Sequence, residues 1–108
     1  MQGFQLTFFT QQDRKHGGQP LADWLLQEAQ RLGIHGATLI AASEGYGHHG
    51  KLHSAHFFEL ADQPMELTMA LSAADADRLF LRLREEKIDL FYLKAPIEYG
   101  MSLGDARS

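Results

Sequence analysis

The sequence predicts an α+β fold of order β-α-β-β-α-β, a split β-α-β sandwich in which one face of an antiparallel sheet carries two helices. Three observations lead there: several short segments alternate apolar and polar residues, two segments repeat apolar residues at helical spacing, and 108 residues suffice for one core but not for two.

The elements follow in chain order. Phe4, Leu6 and Phe8 alternate with Gln5 and Thr7, the pattern of a strand with one buried face. The polar stretch from Gln11 to Gln19, with Gly17 and Gly18, reads as a loop, and Pro20 suits a first helical turn because its missing N–H has no partner to lose there. Leu21, Leu25, Ala29 and Leu32 fall on one helical face, and Gly33 supplies a left-handed C-terminal cap. Ala37 to Ser43 is apolar on consecutive positions, so the second strand is expected to lose solvent on both faces. After the glycines at 45, 47 and 50 comes a connector whose apolar tract, His53 to Leu60, either extends a hairpin or adds a short strand. Met65, Leu67, Met69 and Leu71 then alternate with Glu66, Thr68 and Ala70 after Pro64. Ser72 and Asp75 form a capping arrangement ahead of Ala76, Leu79, Phe80 and Leu83, the stripe of a second helix ending near Glu86. Ile88 to Ala95 reads as the last strand, stopped by Pro96, and the tail from about 100 to 108 reads as mobile.

Composition excludes several function classes. A net charge of -4 with neutral histidines disfavours nucleic acid as a partner, and the sequence has no cysteine for disulfides, zinc thiolates or thiol nucleophiles. The N-terminus lacks a signal-peptide pattern and no stretch reaches the length of a membrane span, so a cytoplasmic location is expected. No nucleophile sits beside a placed base, and Asp75 and Asp77 are explained by a helix N-terminal turn, so no enzymatic activity is expected.

Two segments are candidate ligand sites. Arg14, Lys15 and His16 stand beside two glycines just before a helix N-terminus, where free N–H groups favour a phosphate or carboxylate; the alternative is a solvated loop that keeps the chain soluble. Glu44 to His49 joins an acid, glycines, an aromatic ring and two imidazoles, with Gly45, Tyr46, Gly47 and His49 the preferred ligand contacts; the alternative is a plain turn. His48, His49, His53 and His56 lie within nine residues and form a candidate metal set, although on an extended segment His53 and His56 point to opposite faces.

Gly36-Ala-Thr-Leu-Ile-Ala-Ala-Ser-Glu-Gly-Tyr-Gly47 resembles the second strand and T-loop entry of PII signalling proteins, and Gln63-Pro-Met-Glu-Leu-Thr-Met-Ala-Leu-Ser-Ala-Ala-Asp75 resembles the strand leading to their second helix. Asp13-Arg14, Gly18-Gln-Pro-Leu21, Glu44-Gly-Tyr-Gly47 and Leu52-His-Ser-Ala55 are similar to the PII-like group called domain of unknown function 190. The resemblance implies one PII-like domain over 1–108 with the ferredoxin-like sandwich and a T-loop-like connector at about 46–63. It further implies a homotrimer with intersubunit clefts, a small-molecule or ion effector, often an adenine nucleotide, and regulation of a membrane transporter or enzyme. No cofactor is required by this reading. Arg84-Glu-Glu-Lys-Ile-Asp89 has no glycine where nucleotide-binding PII proteins carry a glycine-rich B-loop, Ile97-Glu98-Tyr99 offers an acid where they carry basic residues, and their modified T-loop tyrosine has no counterpart between Gly47 and Gln63. These departures argue against ATP and against uridylylation. The alternative reading is a divalent-metal-binding trimer of the copper-tolerance type, supported by the histidine cluster.

Overall fold

The structure, a computed structural model, describes residues 1–34, 36–41, 44–46, 52–54 and 63–104. Its elements are β1 (Gln2–Gln11), β2 (Lys15–His16), β3 (Gln19–Pro20), α1 (Leu21–Arg31), β4 (Thr38–Ala41), β5 (Glu44–Tyr46), β6 (Leu52–Ser54), β7 (Pro64–Leu71), α2 (Ala73–Glu85) and β8 (Phe91–Glu98). The main sheet has the order β4-β7-β1-β8, with every neighbouring pair antiparallel. With the helices between β1 and β4 and between β7 and β8, this is the expected ferredoxin-like topology, and α+β is the fold class.

Register explains the core. Phe4, Leu6 and Phe8 face Leu71, Met69 and Leu67 across the β1–β7 ladder, so the alternating apolar residues of both strands share the helix side of the sheet. Leu21, Leu25 and Ala29 of α1 and Ala76, Leu79 and Leu83 of α2 close over them; Leu6, Leu25 and Leu79 are fully buried. Burying a leucine contributes about 1.5–3 kcal/mol, which makes this interlocked set the main source of stability.

Both helices are capped as their sequences require. Ser72 Oγ accepts the Asp75 N–H at 3.1 Å at the start of α2. After α1, Gly33 takes φ +79°, and Gly33 and Ile34 donate back to the Gln30 and Ala29 carbonyls. After α2, Lys87 takes φ +57°, while Lys87 and Ile88 donate to the Arg84 and Leu83 carbonyls. These are two copies of one Schellman turn.

Several boundaries differ from the sequence expectation. Ile88 belongs to that turn, so the last strand begins at Phe91 instead, and it runs through Pro96 to Glu98. Pro96 is tolerated because β8 is an edge strand, where half of the N–H groups need no partner. The strand at Thr38–Ala41 is the opposite edge; Thr38, Ile40 and Ala41 are exposed, and only Leu39 of the four is half-buried. The stretch expected as a loop after β1 contains the small hairpin β2–β3. Gly3 is buried where Tyr99 lies across the end of the sheet: a Cβ there would collide with the Leu71 carbonyl and the Tyr99 ring.

The face of the sheet away from the helices is uneven. One row across it reads Thr38, Thr68, Thr7, Leu93, and the Thr7 and Thr68 hydroxyls share a hydrogen bond of 3.0 Å. The next row reads Ile40, Glu66, Phe9, Phe91. Of the four central residues Thr68, Thr7 and Glu66 are polar and Phe9 is apolar, while Ile40 on one edge and Phe91 and Leu93 on the other are each about half exposed. Ala42 lies outside the described residues.

Candidate functional site

The hairpin expected to hold an anion is built by two glycines. Gly17 and Gly18 take φ of +61° and +80°, the pair of left-handed residues that a two-residue type I′ turn needs, and Lys15 and His16 pair with Pro20 and Gln19 across it. At its base the Arg14 N–H donates to the Gln11 carbonyl at 3.1 Å, and the Arg14 carbonyl accepts the Leu21 N–H at 2.7 Å. The first amide of α1 is thus already engaged by the hairpin. Arg14 and Lys15 reach one turn beside the N-terminus of α1, and neither pairs with a carboxylate among the described residues.

His16 does something different. Its Nε2 lies 2.9 Å from Glu86 Oε1, and its ring meets Trp24 edge-on with centroids 4.8 Å apart. Arg82 stands over the other side of this cluster, its guanidinium 5.7 Å from the Trp24 centroid. The guanidinium donates to Glu28 at 3.0 Å and to Glu85 and Glu86 at 3.2 Å each, and Arg31 donates to Glu28 at 2.7 Å. The Arg31 bonds, with the Arg82 bond and both positive charges, hold the buried Glu28 carboxyl below its ordinary range even though burial opposes the shift. The His16 and Arg82 bonds lower Glu86 in the same way, and these carboxylates raise Arg82 and Arg31 further above an already high value. Sequence reasoning missed Trp24, Glu28, Arg82 and Glu86. The spacing of Arg82, Glu85 and Glu86 on one helix was the available signal; the partner on β2 was not visible in any local pattern.

The second candidate segment forms the hairpin β5–β6. Glu44 pairs with Ser54, Gly45 with His53 and Tyr46 with Leu52, so Gly45, Tyr46 and His53 are brought to one ladder. The tract starting at His53 therefore begins by extending a hairpin. Gly47, His48, His49 and His56 lie outside the described residues. Among the described residues no group of three or more histidine, aspartate or glutamate side chains is placed to hold a metal ion.

On the last strand the basic residue is Lys94, not a residue of Ile97-Glu98-Tyr99. Its Nζ sits 4.3 Å above the Phe4 ring and 5.9 Å from that of Phe80, on the same side of β8 as Tyr92, whose ring abuts Phe80 at 4.9 Å.

This arrangement, a β8-β1-β7-β4 sheet under two helices with glycine hairpins at its margins, has the PII-like fold. The structure superposes with a TM-score of 0.68 and 17% identity on CPII of Thiomonas intermedia K12, a nitrogen regulatory PII-like protein bound to ADP, AMP and bicarbonate, covering 95% of this chain and 92% of that one. A protein of Thermus thermophilus described as PII-like signalling matches with a TM-score of 0.66 and 19% identity over 90% of this chain and 88% of that one. A UPF0166 protein of Aquifex aeolicus (strain VF5) is 30% identical over 81 residues, 75% of this chain and 74% of its own. The sequence pattern of DUF190, described as "Uncharacterized ACR", matches residues 3–89, and the chain belongs to that family.

Proposed function

We propose that the protein is a PII-like regulatory module, without catalytic activity of its own, that assembles as a homotrimer in the cytoplasm. It takes a small anionic or nucleotide-like effector in clefts between subunits. The connector at about 46–63 then reports occupancy to a membrane transporter or an enzyme. The observation that carries this reading is the PII-like topology itself, matched across nearly the whole chain by a protein whose structure holds ADP, AMP and bicarbonate.

Features of this chain support it. Arg14 and Lys15 offer cationic groups on a rigid hairpin, and a pocket between subunits would combine such rigid walls with contacts from the Gly45 to His49 segment. Among the described residues no helix is long and apolar enough to cross a membrane. The lysine at the left-handed turn after α2 replaces the glycine-rich loop that cradles phosphate in nucleotide-binding relatives, so ADP, AMP or a smaller anion is favoured over ATP.

Titration calorimetry with ADP, AMP, ATP, bicarbonate and divalent metals tests the reading directly. Binding of an adenine nucleotide or bicarbonate that falls in Gly47→Val, with the assembly intact, is the expected result. His49→Ala should weaken binding by about 1 kcal/mol if the imidazole makes a neutral hydrogen bond. Unchanged affinity in Gly47→Val would place the effector elsewhere, and binding of a divalent metal alone would establish the copper-tolerance alternative.

A further inference from the structure

Tyr92 and Lys94 pair with Phe8 and Leu6 across the β1–β8 ladder, so their side chains stand on the helix side of the sheet, beside α2. Pro96, opposite Phe4, shares that side, while Phe91 and Leu93 point to the open face. The result is a ledge along the border strand. Every residue from Tyr92 to Pro96 is exposed, and Phe4 and Phe80 lie half-buried behind them. Phe80 braces Tyr92 edge-on at 4.9 Å, and the buried Phe8 braces Phe80 at 5.8 Å. The core therefore fixes these rings in place.

Lys94 is the only charged residue between Phe91 and Ile97. Its Nζ stands 4.3 Å from the Phe4 centroid and 5.9 Å from that of Phe80. Arg31, Arg78 and Arg82 each hold a carboxylate, whereas no carboxylate among the described residues pairs with Lys94. The negative ring faces orient the ammonium and leave N–H donors for an acceptor from outside. A positioned cation on an ordered aromatic shelf is complementary to a carboxylate with apolar neighbours. Tyr92 to Pro96 span about 13 Å of extended chain. A small molecule needs a concave site that buries most of its surface, whereas an exposed strip of aromatic and cationic groups has the composition of a protein contact.

We propose that this ledge docks an acidic, partly apolar segment of a partner protein, with a carboxylate on Lys94 and apolar side chains on Tyr92 and Pro96. The contact runs through side chains, because Pro96 interrupts the row of backbone donors that an added strand would need. It is separate from the connector at about 46–63 and from Arg14 and Lys15, so it stands or falls independently of the effector site. It also lies on the opposite side of the sheet from Phe91 and Leu93.

Amide shifts of the isotope-labelled full chain, titrated with a short capped peptide of alternating leucine and glutamate and with its leucine–lysine counterpart, test this. The acidic peptide is expected to shift the resonances of Phe80, Tyr92 and Lys94, and to bind more weakly as salt rises. Lys94→Gln should raise its Kd about threefold, the scale of an exposed ion pair, and Lys94→Glu should reverse the preference toward the basic peptide. Shifts centred on Arg14 and Lys15, an equal response to both peptides, unchanged affinity in Lys94→Gln, or no response at all would overturn the assignment. Changes in the same resonances on dilution without peptide would give the ledge to a second copy of this chain and overturn it equally.

Discussion

Lys87 occupies after α2 the same left-handed position that Gly33 occupies after α1, with φ of +57° against +79° and the same pair of hydrogen bonds back into the helix. That conformation costs an L-residue about 1–2 kcal/mol, a penalty glycine does not carry. Lys87→Gly is therefore expected to stabilise the protein by about 1 kcal/mol, the gain being trimmed by the greater freedom of glycine in the unfolded chain. Gly33→Ala should destabilise it by a similar amount. Urea denaturation of both variants checks the pair, and a destabilised Lys87→Gly would show that the lysine side chain contributes more than its backbone costs.

Glu28 ties α1 to α2 through Arg31 and Arg82 and is held below the ordinary glutamate value of 4.5 by those partners. A carboxyl whose folded value is depressed stabilises the native state above its unfolded value and loses that contribution as pH falls through the folded one. Wild type should thus exceed Glu28→Gln in stability near neutrality, and the difference should shrink on acidification below about pH 4. Thermal melts of both proteins across this range measure the effect, and a difference independent of pH would assign Glu28 a packing role only.

Phe91 and Leu93 are 53% and 56% exposed on the outer part of the open sheet face, an arrangement that favours cover by another subunit. If the trimer forms there, Leu93→Glu buries an unpaired carboxylate at the interface and should release monomers at micromolar concentration. Light scattering on both proteins decides this; a trimer unaffected by the substitution would move the interface to another surface.

The parts of the fold that could be read in the sequence are those governed by local period. Leu21, Leu25 and Ala29 are four apart and Ser72 precedes Asp75 by three, so helix positions and one cap follow from geometry confined to a few residues. The hairpin at Lys15 to Pro20 escaped because its strands have no apolar alternation, although its Gly-Gly pair carried the turn signal. Ile88 is ambiguous in the sequence because an apolar residue after a helix serves a Schellman turn as well as a sheet. For the site, Arg14 and Lys15 do reach one hairpin, and Gly45, Tyr46 and His53 do share a ladder. The meeting of His16 with Glu86, separated by 70 residues, depends on how both helices lie on the sheet, which no short window of sequence encodes.

Pro96 sits within an exposed border strand whose ladder with β1 continues past it from Gln2–Glu98 to Phe9–Phe91. The pyrrolidine nitrogen there has no hydrogen to offer a newcomer, so an extra strand approaching β8 from solution meets a gap in the row of donors. The uncovered rim can rest against a partner through its side chains, but it makes a poor template for adding sheet upon sheet. A protein with half-exposed aromatic and aliphatic groups on its outermost strand thereby carries its own guard against fibrous growth, and the feature that first reads as a strand breaker serves as that guard.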